Sequence, residues 1–144
     1  MLRRFGEAVR SDKHYQQRPG VYAILPRGES LLLTHQGAPH DEIQLPGGGI
    51  DPGENPIAAL HREVYEETGW TISNPRKIGA YRRFCYMPEY DKWAEKICHI
   101  YIAQPVKKRS EPLEPGHTAL WLSWIDAVNM VASEGDRAFL LNLK

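Results

Sequence analysis

Residues 48–70 read GGIDPGENPIAALHREVYEETGW and concentrate four glutamates in one short segment. They are Glu54, Glu63, Glu66 and Glu67. Like charges at such spacing repel one another and weaken a helix, so a chain that only had to fold would gain little from them. Carboxylate oxygens are the ligands that Mg²⁺ and Mn²⁺ prefer in proteins. The segment therefore predicts a site for a divalent cation.

The same segment carries the signals of a helix over residues 56–68. Asn55 is a good N-cap, Pro56 suits the first helical turn, and Gly69 follows as a C-terminal stop. Between these signals one apolar stripe recurs at helical spacing and is expected to face the core: Ile57, Leu60 and Val64. The sequence therefore predicts a capped amphipathic helix that presents glutamates on its other face.

Three glutamates of this helix stand at positions i, i+3 and i+4, within about one third of the circumference. Ala59 is one turn earlier on that face, where its small side chain is expected to leave room for a ligand. The run Gly47–Gly49 allows a main-chain carbonyl to approach a metal. Arg62 offers donors that fix the orientation of a carboxylate. Such a site neutralises phosphate oxygens and positions a water, so hydrolysis of a phosphoanhydride fits best.

Strand patterns precede and follow this helix. Residues 21–26 and 30–36 predict a hairpin whose turn is Arg27–Glu29, and residues 70–87 predict a strand, a turn and a second strand. Single strands are predicted at 42–45, 96–103 and 118–122. Residues 125–142 predict a second amphipathic helix, built on Ile125, Val128, Val131, Phe139 and Leu140, with Gly135 as a candidate break. Residues 1–17 are either a lead-in strand or a loose arm. The order predicts one domain over residues 1–144, a mixed β-sheet covered on its faces by helices.

Composition narrows the function classes. The chain has 144 residues, 42% of them hydrophobic, and 18 basic residues balance 18 acidic ones. A neutral chain has no general positive field, so nucleic acid is an unlikely partner and a small nucleotide is favoured. Cys85 and Cys98 lack metal-ligand spacing and agree with a reducing compartment. With neither a signal peptide nor a run of about 20 apolar residues, we expect a soluble cytoplasmic protein.

The glutamate segment resembles the Nudix box, G-x5-E-x7-R-E-U-x-E-E-x-G-U, where U is a bulky hydrophobic residue. Every specified position is matched: Gly48, Glu54, Arg62, Glu63, Val64, Glu66, Glu67, Gly69 and Trp70. Trp70 is the least typical match, since aliphatic residues are usual there. The order of strands and the terminal helix also resemble the α/β/α sandwich of this MutT-like family, so the resemblance extends beyond the box.

The resemblance implies hydrolysis of a nucleoside diphosphate linked to another moiety, with Mg²⁺ or Mn²⁺. It assigns metal binding to the helix glutamates and to the glycine backbone: Glu63, Glu66, Glu67 and Gly48 or Gly49. The base is either Glu63 or a carboxylate of a later loop. The late candidates are Glu89, Asp91, Glu95, Glu111 and Glu114. Glu114 is favoured slightly, because residues 114–121, EPGHTALW, resemble the stretch of the family that brings a late loop to the metal. Substrates left open are nucleoside triphosphates with damaged bases, ADP-sugars and dinucleoside polyphosphates.

Substrate contacts are predicted on the segment that follows. Of Arg82 and Arg83 at most one meets phosphate, because neighbouring strand residues point to opposite faces, and Arg82 is taken as the candidate. Tyr90 and Trp93, in an expected exposed loop at 88–93, are candidates to stack on a purine, with packing onto the domain as the alternative. Two other functions stay open, a nucleotide-sensing module without hydrolysis and a 5′-RNA pyrophosphohydrolase. Either a monomer or a homodimer is compatible with the sequence.

Overall fold

The computed structural model describes residues 2–143, which form nine strands and three helices. The strands are β1 (Arg3–Gly6), β2 (Tyr15–Ile24), β3 (Pro26–Arg27), β4 (Ser30–Gln36), β5 (Glu42–Gln44), β6 (Gly47–Gly49), β7 (Trp70–Met87), β8 (Lys92–Lys108) and β9 (His117–Ser123). The helices are α1 (Pro56–Thr68), α2 (Trp124–Met130) and α3 (Glu134–Leu143). None of these helices is long and apolar enough to cross a membrane.

The strands divide between two sheets. The larger has the order β1-β7-β8-β2-β6, and β1 and β2 each run parallel to a neighbour in an otherwise antiparallel arrangement. In the smaller sheet β4 pairs with β3, β5 and β9, all antiparallel. The predicted mixed sheet is confirmed. Of the residues 1–17, for which a lead-in strand or a loose arm was predicted, 3–6 form β1 and 15–17 begin β2, whereas 7–14 form neither strand nor helix. Residue 1 lies outside the described residues.

Helices cover both faces of the larger sheet. Alternate residues of β2 point to opposite sides, so Val21 packs in the cluster that contains Leu60 and Val64 of α1, whereas Ile24 packs with Ala127 and Leu140 of α2 and α3. Each cluster is built of buried apolar side chains. The α/β/α sandwich expected from the sequence is confirmed.

The predicted hairpin of residues 21–36 is shorter than expected. Only Pro26–Arg27 pairs with the start of β4, and Gly28 and Glu29 form the turn. The run Val21–Ile24 belongs to the larger sheet instead, and the chain changes sheets at Leu25, whose carbonyl accepts a hydrogen bond of 3.0 Å from Leu32. Two adjacent apolar runs thus serve two sheets.

Helix α1 spans the predicted residues. The side chain of Asn55 accepts hydrogen bonds from the backbone of Ile57 at 2.8 Å and of Ala58 at 3.3 Å. Gly69 takes the left-handed conformation, with φ of 77°. The predicted core stripe is wrong at one position, because Ile57 is 36% exposed. Ala59 is fully buried in the core and does not border a ligand space, so that prediction is also wrong.

The C-terminal prediction was a single helix, and the structure contains two. Helix α2 ends at Met130, Val131 adopts an extended conformation, and α3 starts at Glu134. The Ser133 hydroxyl accepts a hydrogen bond from the backbone of Asp136, which is an N-cap interaction. The break therefore precedes Gly135, which lies inside α3. Ile125, predicted to be core, is 60% exposed.

The turn expected within residues 70–87 is absent. Strand β7 continues along β8 and accommodates register shifts near Ser73 and Lys77, while Asn74 has a positive φ of 52°. The exposed loop predicted at 88–93 is shorter, because β8 starts at Lys92 and includes Trp93. A long two-strand ribbon therefore replaces two shorter hairpins.

Candidate active site

Arg62 is the centre of the glutamate cluster. Its Nε and Nη2 atoms donate to the two carboxylate oxygens of Glu54, each at 2.8 Å. Its Nη1 atom donates to Glu63 at 3.0 Å and to Glu66 at 3.2 Å. Its Nη2 atom also reaches the carbonyl of Gly49 at 3.2 Å. Bonding to Arg62 lowers the pKa of Glu54 to about 2, and the same bond raises the pKa of Arg62. One guanidinium thus orients three carboxylates.

Glu67 lies apart from this network and deeper in the protein. It is 8% exposed, and its Oε1 accepts a hydrogen bond of 3.0 Å from the backbone of Gly47. Its Oε2 lies 3.6 Å from Nε2 of His117. Burial raises the pKa of Glu67 to about 8, the bond from Gly47 opposes the shift, and the nearby carboxylates add to it. Without a cation, this carboxyl is held where its charged form is unfavourable.

The glycine strand β6 lies directly against these carboxylates. A Cβ atom at Gly48 would lie 2.5 Å from Oε2 of Glu63, so a side chain there would displace that carboxylate. Burial also raises the pKa of Glu63, against the opposing effect of Arg62. Gly47, on the same strand, would meet the backbone of β2. Glycine is thus required for the helix and the strand to approach this closely.

A cavity of about 300 Å³ opens beside the cluster. Its lining includes Glu67, the glycine strand, Glu114 and His117. It also includes residues of β7 and β8 of the larger sheet and Asp136 at the start of α3. The cavity therefore connects the glutamates with the face of the sheet that α3 covers.

Glu114 is the late carboxylate that the structure brings to this cavity. Its backbone N–H donates to the carbonyl of Glu66 at 2.8 Å, which ties the late loop to α1. The other candidates contact side chains elsewhere: Glu89 with His40, Asp91 with Tyr86, Glu95 with Arg82 and Glu111 with Lys108. The preference for Glu114 thus gains a geometric basis.

The predicted substrate contacts are only partly brought together. Tyr90 borders the cavity. Arg82 does not, because it lies on the opposite sheet face and pairs with Glu95 at 3.3 Å; its neighbour Arg83 borders the cavity instead. Trp93 also lies away from the cavity, where it packs against Tyr15 and Tyr86. We therefore drop Arg82 and Trp93 as substrate contacts.

Two more residues at the cavity, His117 and Asp136, lie outside the glutamate segment. His117 bonds the Thr34 hydroxyl through Nδ1 at 2.9 Å, and its Nε2 lies 3.6 Å from Oε2 of Glu67. Burial lowers the pKa of His117.

Asp136 is 5% exposed and accepts a hydrogen bond of 2.7 Å from the Tyr81 hydroxyl, and burial raises its pKa to about 6. Asp136 takes this position because a new helix begins after Ser133, and the apolar periodicity of residues 125–142 does not reveal that break.

The donor set matches a divalent metal in chemistry, although not in its present arrangement. Within residues 2–143 no three His, Cys, Asp or Glu side chains converge closely enough to hold an ion as they stand. The reason is that Arg62 engages Glu54, Glu63 and Glu66, while Glu67 turns to the backbone of Gly47. The guanidinium thus neutralises the carboxylates that a hard cation would bind. Metal binding requires these side chains to rotate.

Comparison with known proteins identifies a family and a shared fold. A family model described as NUDIX domain matches residues 15–143. A solved structure, "NUDIX hydrolase from Nitrosomonas europaea", superposes with a TM-score of 0.71 at 22% identity, and the match covers 89% of this chain and 90% of that one. At this identity the likeness supports the fold.

Two curated relatives match parts of the chain. A "Putative 8-oxo-dGTP diphosphatase" of Bacillus subtilis is 51% identical over 69 residues, which is 48% of this chain and 45% of the relative. An "RNA pyrophosphohydrolase" of Halorhodospira halophila is 36% identical over 67 residues, which is 46% of this chain and 37% of the relative. The chain spans less than two thirds of the length of the curated relatives it matches.

Proposed function

This chain belongs to the NUDIX domain family, and on that premise we propose that it hydrolyses the phosphoanhydride of a nucleoside diphosphate linked to another moiety. The observation that carries the proposal is the buried Glu67 beside carboxylates that Arg62 holds in place. One guanidinium does not balance three carboxylates, and among the described residues the carboxylate of the buried Glu67 meets only the backbone of Gly47 and the side chain of His117. A phosphate-bound divalent cation would supply the missing positive charge.

The proposed metal ligands are Glu63, Glu66, Glu67 and the backbone of Gly48, with Mg²⁺ or Mn²⁺ as the ion. When bound, such an ion neutralises phosphate oxygens and lowers the pKa of a coordinated water. Arg62 acts through the carboxylates that it orients, in a positioning role. The glycine strand supplies the close approach between α1 and β2.

Glu63 and Glu114 are the two candidates for the general base. Burial raises the pKa of Glu63, which makes its carboxylate a stronger base, and the side chain adjoins the glycine strand. Glu114 borders the same cavity from the late loop. Comparing the pH profiles of kcat for Glu63→Gln and Glu114→Gln separates them, since loss of the base removes the acidic limb of the profile.

The function is tested by incubating the protein with nucleoside triphosphates, ADP-sugars and dinucleoside polyphosphates in Mg²⁺ or Mn²⁺. Released phosphate, pyrophosphate and nucleoside monophosphate are separated by ion-exchange chromatography. Cleavage of at least one substrate, abolished by EDTA and restored by the metal, is the expected result. Metal-dependent binding of a nucleotide without cleavage would favour the sensing module instead.

A second candidate is removal of pyrophosphate from the 5′ end of RNA, which the names of three relatives support. The neutral net charge argues against it, because RNA binding rests largely on cationic contacts. Affinity for a 5′-triphosphorylated oligomer that falls steeply with salt would favour this candidate.

We also propose a cytoplasmic setting, supported by the free cysteines Cys85 and Cys98. A homodimer stays a prediction for sedimentation analysis.

A further inference from the structure

Three cationic side chains form a row across the larger sheet. Lys96 of β8 is paired in register with Arg18 of β2 on one side and with Arg83 of β7 on the other. Paired residues of neighbouring strands point to the same face of a sheet. All three side chains are half-buried and border the cavity described above.

The row has no carboxylate partner of its own. Within residues 2–143, neither Arg18, Lys96 nor Arg83 forms an ion pair within 4.0 Å. The guanidinium of Arg18 lies over the ring of Tyr90, with 5.0 Å to the centroid. Arg82, on the opposite face of the same strand, pairs with Glu95. Arg82 is thus neutralised by an ion pair on the opposite face, whereas the three cations of the row have no such pair.

Such a row costs stability, because like charges directly opposite each other in a sheet repel. Asp136 borders the same cavity, but the Tyr81 hydroxyl occupies its Oδ1 at 2.7 Å. The other carboxylates that border the cavity, Glu42, Glu67 and Glu114, also form no ion pair within 4.0 Å with the three cationic side chains. An anion that enters the cavity would relieve this repulsion, and arginine and lysine are the side chains that bind phosphate best.

The row lies close to the glycine strand, which contacts Glu67. Strand β2 is the direct neighbour of β6, and Gly20 pairs with Gly49. Arg18 is two residues before Gly20, which is about 7 Å along the strand, and neighbouring strands are about 5 Å apart. A single polyphosphate chain can therefore extend from Glu67 and the glycine strand toward Arg18 and Lys96.

We propose that Arg18, Lys96 and Arg83 bind a further phosphate of the substrate, one that lies outside the phosphoanhydride held at the glutamates. This inference rests on the proposed function. It identifies the substrate class as nucleotides with three or more phosphates, because an ADP-sugar has no phosphate left for the row. The glutamates determine the bond that is cleaved, and the row discriminates by the number of phosphates.

The test compares kcat/KM for nucleoside triphosphates with kcat/KM for ADP-ribose, both in Mg²⁺. The wild type is expected to favour a triphosphate by at least about tenfold. Lys96→Gln and Arg83→Gln are expected to lower kcat/KM for the triphosphate by roughly 10- to 100-fold, the effect of losing a charge-assisted hydrogen bond. The change for ADP-ribose is expected to stay within about threefold, so the preference is lost.

Matched controls lie on the same two strands, away from the cavity. Lys107→Gln on β8 and Arg76→Gln on β7 remove the same charges from exposed positions and are expected to leave both values unchanged. Equal losses for the triphosphate and ADP-ribose would overturn the proposal, as would a wild type that prefers ADP-ribose. Thermal melting of each variant identifies any loss that is due to unfolding.

Failure of the proposed function is recognised separately, as absence of cleavage for every substrate. In that case the uncleaved triphosphate and ADP-ribose are titrated into the protein in Mg²⁺ by calorimetry. Tighter binding of the triphosphate, lost in Lys96→Gln and kept in Lys107→Gln, would support the row as a phosphate site. Equal affinities, or no binding of either nucleotide, would overturn it.

Discussion

Arg62 holds both carboxylate oxygens of Glu54, through Nε and Nη2, at 2.8 Å each. This bidentate pair anchors the guanidinium, whose remaining nitrogen reaches Glu63 and Glu66 on α1. Because Glu54 precedes the helix and Glu63 and Glu66 lie on it, one side chain fixes the loop and the glutamate face of α1 together. The geometry explains why an arginine stands among the glutamates.

Replacing Arg62 with lysine is expected to lower activity while keeping the charge. Lysine has a single ammonium group in place of the planar guanidinium, so it cannot bond both oxygens of Glu54 and also reach the helix glutamates. We expect kcat/KM in Mg²⁺ to fall about 10- to 100-fold, the usual effect of losing a group that orients metal ligands. His61→Gln, at an exposed neighbouring position, serves as the control. Full activity in Arg62→Lys would show that charge alone suffices.

Gly48→Ala is expected to separate activity from folding. The added Cβ would meet the carboxylate of Glu63, which is the mobile end of a side chain, so the fold can adapt while the carboxylate is displaced. We predict a fall in kcat/KM of at least about tenfold with little change in Tm. Gly37→Ala is the matched control, because a Cβ there makes an ordinary contact of 3.6 Å. Unchanged activity would argue against Glu63 as a functional carboxylate.

Glu67→Gln is expected to stabilise the metal-free protein at high pH. The folded pKa of Glu67 is about 8 and the reference value is 4.5. The folded state therefore binds more protons than the unfolded state between those values, and stability falls as pH rises through that window. Each pKa unit corresponds to about 1.4 kcal/mol, so the variant should gain a few kcal/mol by pH 9 and little at pH 4.

Urea unfolding in EDTA at pH 5, 7 and 9 measures this effect as the difference between the wild type and the variant. Glu111→Gln, at an exposed position on the late loop, is the control and should follow the wild type. A constant difference between the wild type and Glu67→Gln at all three pH values would contradict the proposed cost of the buried charge.

Gly69→Ala is expected to destabilise the fold more than Gly53→Ala. Both glycines have a left-handed φ, 77° at Gly69 and 78° at Gly53, so both substitutions carry a backbone penalty of about 1 to 2 kcal/mol. Only at Gly69 would a Cβ also run into the backbone of Ser110, whose N–H bonds the carbonyl of Gly69. Urea unfolding should show a clearly larger loss for Gly69→Ala. Equal losses would mean that the loop at Ser110 moves freely.

The local signals in the sequence predicted α1 accurately. Asn55, Pro56 and Gly69 act within a few residues, so their effect needs no knowledge of the tertiary fold. The same signals did not assign the faces correctly, because Ile57 lies at the first turn, beyond the core, and Ala59 faces β2 and the core. A helical period identifies a stripe and does not locate its edges.

The site residues outside the glutamate segment were harder to predict for a different reason. Arg82 and Arg83 alternate across a sheet, and only the position of the cavity shows which of them faces it. Arg18 and Lys96 become neighbours through a parallel pairing between distant strands. No short-range pattern contains that information. The proposed cleavage chemistry follows from one segment, whereas the proposed substrate contacts depend on the tertiary fold.

The most direct test of the account is the rate of phosphoanhydride cleavage in Mg²⁺ for Glu66→Gln and Glu67→Gln, with Glu111→Gln as the control. A metal ion supplies several kcal/mol of transition-state stabilisation, so each of the first two variants should lose at least about 100-fold in kcat. Their far-ultraviolet circular dichroism should match that of the wild type. Wild-type rates in both folded variants would contradict the claim that these carboxylates hold the catalytic metal.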